Sequence, residues 1–260
     1  PVGHIFVSNR GTSSGLSALN VSTPATPTLS SFLSANKAAT GTAYTPFYSN
    51  GKVYIAYGSA GLRIVDVSNP AGPTLVSTTI LGGDSRSVAV SGTTAFVAAR
   101  DSGVFVVDVT DPANPVKLKT IKTPFASGAA VNGNYVYVAV SDSGMGIINA
   151  TNPKSPVLVG YLHPGGQKGE NVAVAGNVLG LTDYSKILFF DATNPAAPVA
   201  KGLTSSFKIG NEGFAISGNY SYVPDGDSMK VFNITNLLTP TQVAKVYTGE
   251  IEGDGLVEYL

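Results

Sequence analysis

Three carboxylates recur at one spacing in the second half of the chain. Glu170, Glu212 and Asp254 stand 42 residues apart. Such side chains supply hard oxygen ligands, the kind Ca²⁺ gathers in sets of about six to eight. A similar spacing carried back toward the N-terminus meets Ser127, Arg86 and Thr45. If these positions converge, Arg86, Glu170, Glu212 and Asp254 are candidate ligand-binding residues. Glu170, Glu212 and Asp254 are then candidate calcium ligands, with Asp225, Asp227, Glu250 and Glu252 as further acidic loops. The competing reading is a rim of solvated charges balanced by Arg86 and Lys168, because a calcium site takes several more oxygens from a defined loop.

Other chemistry is sparse. The chain has 2 histidines, His4 and His163, at no metal-ligand spacing, and 0 cysteines, so thiolate sites, Cys nucleophiles and disulfides are excluded. No Ser/His/Asp order has local support, and no catalytic residue is assigned. Gly82-Gly83 and Gly165-Gly166 resemble phosphate-cradling loops, but no helical pattern follows to hold an anion at its N-terminus. Tyr57 and Tyr184 fall near loops and could stack on a sugar or peptide; most other tyrosines belong to strands and pack there. Net charge is 0 with 12% charged residues and no Lys/Arg stripe, which argues against a nucleic-acid partner. No apolar run approaches the roughly 20 residues of a membrane span. The opening Pro1-Val2-Gly3 reads as a processed or trimmed chain.

The elements that would position these residues come from a phrase repeated six times. It begins at Asn20, Asp66, Asp108, Asn149, Asp191 and Asn233, with separations of 46, 42, 41, 42 and 42 residues. Its first residue can accept a bond from the backbone two residues on, an Asx-turn. Ser or Thr follows at the third position, as Ser22, Ser68, Thr110, Thr151, Thr193 and Thr235. A proline then fixes φ, and a second proline opens the next strand at a sheet edge, where its missing N–H costs least. Asn20, Asn149, Asn219 and Asn233 also begin N-x-Ser/Thr sequons, three of them simply because Asn occupies the anchor.

Each repeat reads as four short strands, A to D. In the third, Ser87–Val90, Ala95–Ala99, Val104–Val109 and Val116–Ile121 are separated by turn residues. A period near 42 residues built of strands predicts an all-β, six-bladed β-propeller of four antiparallel strands per blade. The blades run 1–43 plus 253–260, 44–84, 85–126, 127–168, 169–210 and 211–252, within one domain of residues 1–260. The first blade starts at strand B, His4–Val7, and the segment Gly255–Leu260 reads as its missing strand A. Aligning Leu256 with Val88 and His4 with Tyr137 brings the termini into one hairpin, a one-plus-three closure that removes an open edge.

The segments Gly61–Val67 and Gly103–Val109, each followed by an Asn/Asp-Pro turn, resemble the LVIVD repeat; Ile187–Asp191 is a looser match. Asn at three anchors and Leu237 in place of proline depart from that pattern. The resemblance implies a β-propeller module of bacterial or archaeal cell-surface proteins and carries over no catalytic residue. The expected function is a non-enzymatic, extracellular cell-surface propeller for structure, adhesion or binding of protein or glycan partners, with self-assembly as a related version. It would have no obligatory cofactor. The alternative is a calcium-dependent hydrolase of lactones or phosphoesters with its site in a central channel.

Overall fold

The computed structural model describes residues 3–9, 15–23, 28–34, 43–163, 168–183, 185–207, 213–225 and 228–247. Among them every regular element is a strand, and the strands form six separate antiparallel sheets. The first holds β1 (His4–Asn9), β2 (Gly15–Asn20) and β3 (Thr28–Ser34). The second holds β4 (Pro46–Ser49), β5 (Lys52–Ala56), β6 (Leu62–Asp66) and β7 (Thr74–Thr79). The third holds β8 (Ser87–Ser91), β9 (Thr94–Ala98), β10 (Val104–Asp108) and β11 (Val116–Ile121). The fourth holds β12 (Gly128–Asn132), β13 (Tyr135–Ala139), β14 (Met145–Asn149) and β15 (Val157–Leu162). The fifth holds β16 (Asn171–Ala175), β17 (Val178–Thr182), β18 (Ile187–Asp191) and β19 (Val199–Leu203). The sixth holds β20 (Ala215–Ser217), β21 (Tyr220–Asp225), β22 (Ser228–Asn233) and β23 (Thr241–Tyr247). Each sheet is a meander in chain order. The architecture is the expected one, all-β with six propeller blades. The closing strand, expected over Gly255–Leu260, lies outside the described residues.

The anchors behave as their chemistry dictates. In all six copies the anchor Oδ1 accepts the backbone N–H two residues on, at 2.9 to 3.0 Å. A second Asx-turn follows in five copies, at Asn69, Asp111, Asn152, Asn194 and Asn236. The residue after each anchor donates its N–H to the turn between strands A and B, for example Val67 to Gly51 and Ala150 to Asn134. The phrase therefore ties the C–D corner to the A–B corner of its own blade.

The chain packs as two compact units, with the first three blades in one and the last three in the other. Within each, the core lies between neighbouring blades. Phe6, Leu16 and Ala18 of the first blade meet Val53, Ile55 and Val65 of the second. Alternate residues of those same strands, Tyr54, Ala56 and Ile64, meet Val88, Val97 and Phe105 of the third. In the second unit Tyr137, Met145 and Ile147 meet Val172, Leu181 and Phe190, while Ile187 and Phe189 meet Phe214, Val223 and Phe232. In the second to fifth blades strands B and C are thus buried on both faces, so they read as continuous apolar runs. Strand D is the outer edge and alternates.

Two registers differ from the sequence reading. His4 pairs with the anchor Asn20, as Tyr135 pairs with Asn149, so His4 takes the position of Tyr135 and not that of Tyr137. Tyr44, not Thr45, matches Arg86, because Tyr44 N–H bonds Ala56 O as Arg86 N–H bonds Ala98 O. Both shifts follow from counting from strand ends, where the two-residue A–B hairpin and the anchor are the true reference points.

Candidate functional site

Of the residues that the sequence nominates at the opening of strand A, three are placed by the same backbone bond. Arg86, Ser127 and Glu170 donate their N–H groups to Ala98, Ala139 and Thr182. In the first unit Arg86 Nη2 lies 2.6 Å from Asp84 Oδ2, and its guanidinium sits 4.1 Å from the centre of the Tyr44 ring. Arg100 Nε lies 3.4 Å from the same carboxylate oxygen. Arg100 has φ of 42°, in the left-handed region that its counterpart Gly58 occupies at 52°. That position pairs with the next blade, since Gly58 and Ser85 exchange two backbone bonds of 3.0 Å.

In the second unit Ser127 Oγ donates to Gly169 O at 3.2 Å. Glu170 is half-buried. Lys168 Nζ lies 2.8 Å from Asp142 Oδ1, and the hydrogen bond and charge of Asp142 hold the Lys168 ammonium above its usual range, with Glu170 a minor contributor. Glu212 and Asp254 lie outside the described residues, as do Tyr184, Asp227, Glu250 and Glu252. Among the described residues no three His, Cys, Asp or Glu side chains form a metal-sized cluster.

Most described carboxylates have structural duties. Asp66, Asp108 and Asp191 build anchor turns. Asp183 accepts from the Ser185 and Lys186 N–H groups. Asp225 lies 3.0 Å from Lys230 Nζ and 3.5 Å from Lys245 Nζ. His4 Nε2 is 3.2 Å from Ser30 Oγ, and His163 is exposed beside Tyr161. Tyr57 is 2% exposed, with the Arg63 guanidinium 3.8 Å from its ring centre, so it packs and does not present a free stacking face. Arg63 itself escaped the sequence reading, although counting three residues back from each anchor isolates it.

The repeated blades, their anchors and the buried B and C strands define a β-propeller, with no helix among the described residues. The chain belongs to the LVIVD-repeat family, whose model matches residues 49–79, 82–123, 125–163 and 212–248. No curated protein sequence matches. Among solved structures the chain is similar to a functionally unknown protein from Desulfotomaculum acetoxidans, at 13% identity and TM-score 0.76, covering 98% of this chain and 89% of that one. It is also similar to a periplasmic gluconolactonase of Pseudomonas aeruginosa, at 13% identity and TM-score 0.66, covering 98% of each chain. At such identity the likeness is one of fold.

Proposed function

We propose that this chain is a non-enzymatic, extracellular propeller that serves cell-surface structure or adhesion by binding partners through its outer strands. One observation carries the reading. The outermost strand of every blade exposes a large apolar side chain: Leu29, Leu75, Val116, Val157, Val199 and Val243 are 46% to 61% exposed. In four of the blades the same strand exposes a second apolar side chain, Phe32, Val159, Leu203 or Val246, and the repetition of this exposure from blade to blade supports contact through the outer strands. The low charge supports it, because few charges need be desolvated when surfaces meet. The fold shared with a gluconolactonase carries no site residues with it, so a calcium-dependent hydrolase is the weaker reading.

The test is light scattering of the purified chain across concentration, with and without sulfate, which strengthens apolar association. Val157→Lys/Val159→Lys should diminish association or partner capture while leaving far-UV CD unchanged. Monomeric behaviour throughout, with no loss of surface binding in this variant, would overturn the reading.

A further inference from the structure

Among the described residues, the first two blades hold a cation without a counter-charge. Arg63, on β6, is 5% exposed, and its Nε is buried with no hydrogen-bond partner. It forms no ion pair among the described residues, and its guanidinium lies against the face of the Tyr57 ring. The repeat supplies an internal comparison. Three residues before each anchor stand Ser17, Arg63, Phe105, Gly146, Leu188 and Lys230. Phe105 and Leu188 show that this position takes an apolar side chain, buried at 3% and 7% exposure. Lys230 shows what the fold does with a cation there: it supplies Asp225, 3.0 Å away. Among the described residues Arg63 has no equivalent. The sequence before it cannot provide one, because the first Asp or Glu of the chain is Asp66. Asp66 is itself committed to Ser68 N–H at 2.9 Å and Lys52 at 3.7 Å.

Arg63 also lines a cleft between the first two blades, with Leu16, Ile55 and Val65 buried and Leu33 and Leu75 more exposed. The cleft encloses about 20 Å³, room for one water-sized group. A desolvated guanidinium is a fork of donors shaped for a carboxylate, and the walls around it are apolar. We propose that this cleft binds a carboxylate borne on a short apolar chain, with one oxygen at Arg63 and the chain along Leu33 and Leu75. A free alkanoate and the terminal carboxylate of a peptide share that chemistry.

The experiment uses pentanoate as the free acid, N-acetylvaline as the peptide-terminus mimic, and pentan-1-ol as the uncharged control. Binding is followed by NMR at the Arg63 Nε–H signal and by thermal shift. At least one acid should saturate and move that signal, and pentanol should not; the tighter acid identifies the source. Arg63→Leu, which installs the side chain of Leu188 at the same register, should fold, melt no lower than the parent, and bind at least tenfold more weakly. Arg63→Lys should retain the charge but lose several-fold in affinity, because an ammonium does not stack on the Tyr57 ring as the planar guanidinium does. Absence of saturable binding by either acid, or equal binding by Arg63→Leu, would overturn the proposal and leave Arg63 a hydrated packing residue.

Discussion

At the scale of single residues, the anchor Asp and Asn side chains are interchangeable in geometry and different in charge. Asn20, Asn149 and Asn233 make the same bond as Asp66, Asp108 and Asp191. Ser68 holds the Asp66 carboxyl below its usual range, first through its backbone N–H, with Lys52 contributing less; Thr193 does the same for Asp191, first through its hydroxyl. A depressed folded-state value means stability that is present above the unfolded carboxylate pKa, about 3.9, and lost as pH falls through the folded value. Asp66→Asn should therefore keep the fold and flatten the acid limb of a Tm-against-pH curve. Asp66→Ala should lower stability at pH 7 by about 1 kcal/mol, one hydrogen bond, in urea melts. A second residue tests the alkaline limb. Tyr137 is fully buried and donates to Pro195 O at 2.9 Å, and burial pushes its phenol up to about 12. An acid raised in the folded state stabilises below its unfolded value near 10 and loses that contribution as pH climbs from there to about 12. Tyr137→Phe should melt lower at pH 8 yet lose less between pH 9 and 11. These anchors were the most legible part of the sequence, because an Asx-turn depends on two neighbouring residues alone. Arg63 was invisible for the opposite reason: what marks it is its burial beside Tyr57 with no partner among the described residues, a property of packing between blades.

Among the elements, strands and turns were legible wherever a local rule governs them, and registers were not. Hairpins A–B place glycine first, at Gly92, Gly133, Gly176 and Gly218 with φ of 55° to 56°, or use Asn50-Gly51, with both residues left-handed. These are the turns that two-residue hairpins demand. The glycine before strand C is more constrained. Gly61 has φ of 85°, and a Cβ there would run into the Thr79 carbonyl and the Leu81 backbone, whereas one at Gly92 would meet open space. Gly92→Ala should cost only the left-handed penalty, about 1–2 kcal/mol. Gly61→Ala adds the backbone clash and should cost clearly more in the same urea melts; equal losses would show that the close approach relaxes freely. The outer strands carry a feature no local rule announces. Their pairing with strand C slips beside Ala18, Ile64, Ile147 and Val231, leaving Ser30, Val76, Val159 and Val243 unpaired. A bulge at the same place in these blades twists the edge strand and blunts its pairing with another chain. Exposed apolar side chains on a bulged edge fit contact through side chains better than strand addition.

For the molecule as a whole, the period was enough to count the blades, since the interval near 42 residues leaves room for one four-stranded sheet. What the period could not supply was the candidate site: it places Arg86, Ser127 and Glu170 alike on the backbone but does not fix the side chain at that position, and Glu212 and Asp254 lie outside the described residues. Closure lies between these cases. The first blade shows three described strands where the other five show four, and β1 has no strand partner on its inner side among the described residues. With His4 in the position of Tyr135, the hairpin pairing of Val131 with Val136 predicts that Ile5 faces Glu258. This is two residues away from the register obtained by matching His4 with Tyr137. The chain has 0 cysteines, so an engineered pair has no competitor. Directly opposed strand residues have Cα separations of about 4.5–5.5 Å, within disulfide range. Ile5→Cys/Glu258→Cys should oxidise within one chain, migrate faster on non-reducing gels and melt higher than its reduced form. A disulfide-linked dimer would instead mean that this segment completes the blade of a second copy. Failure to cross-link, with Ile5→Cys/Leu256→Cys, the pair opposed in the other register, equally unreactive, would mean that the first blade is closed in another way.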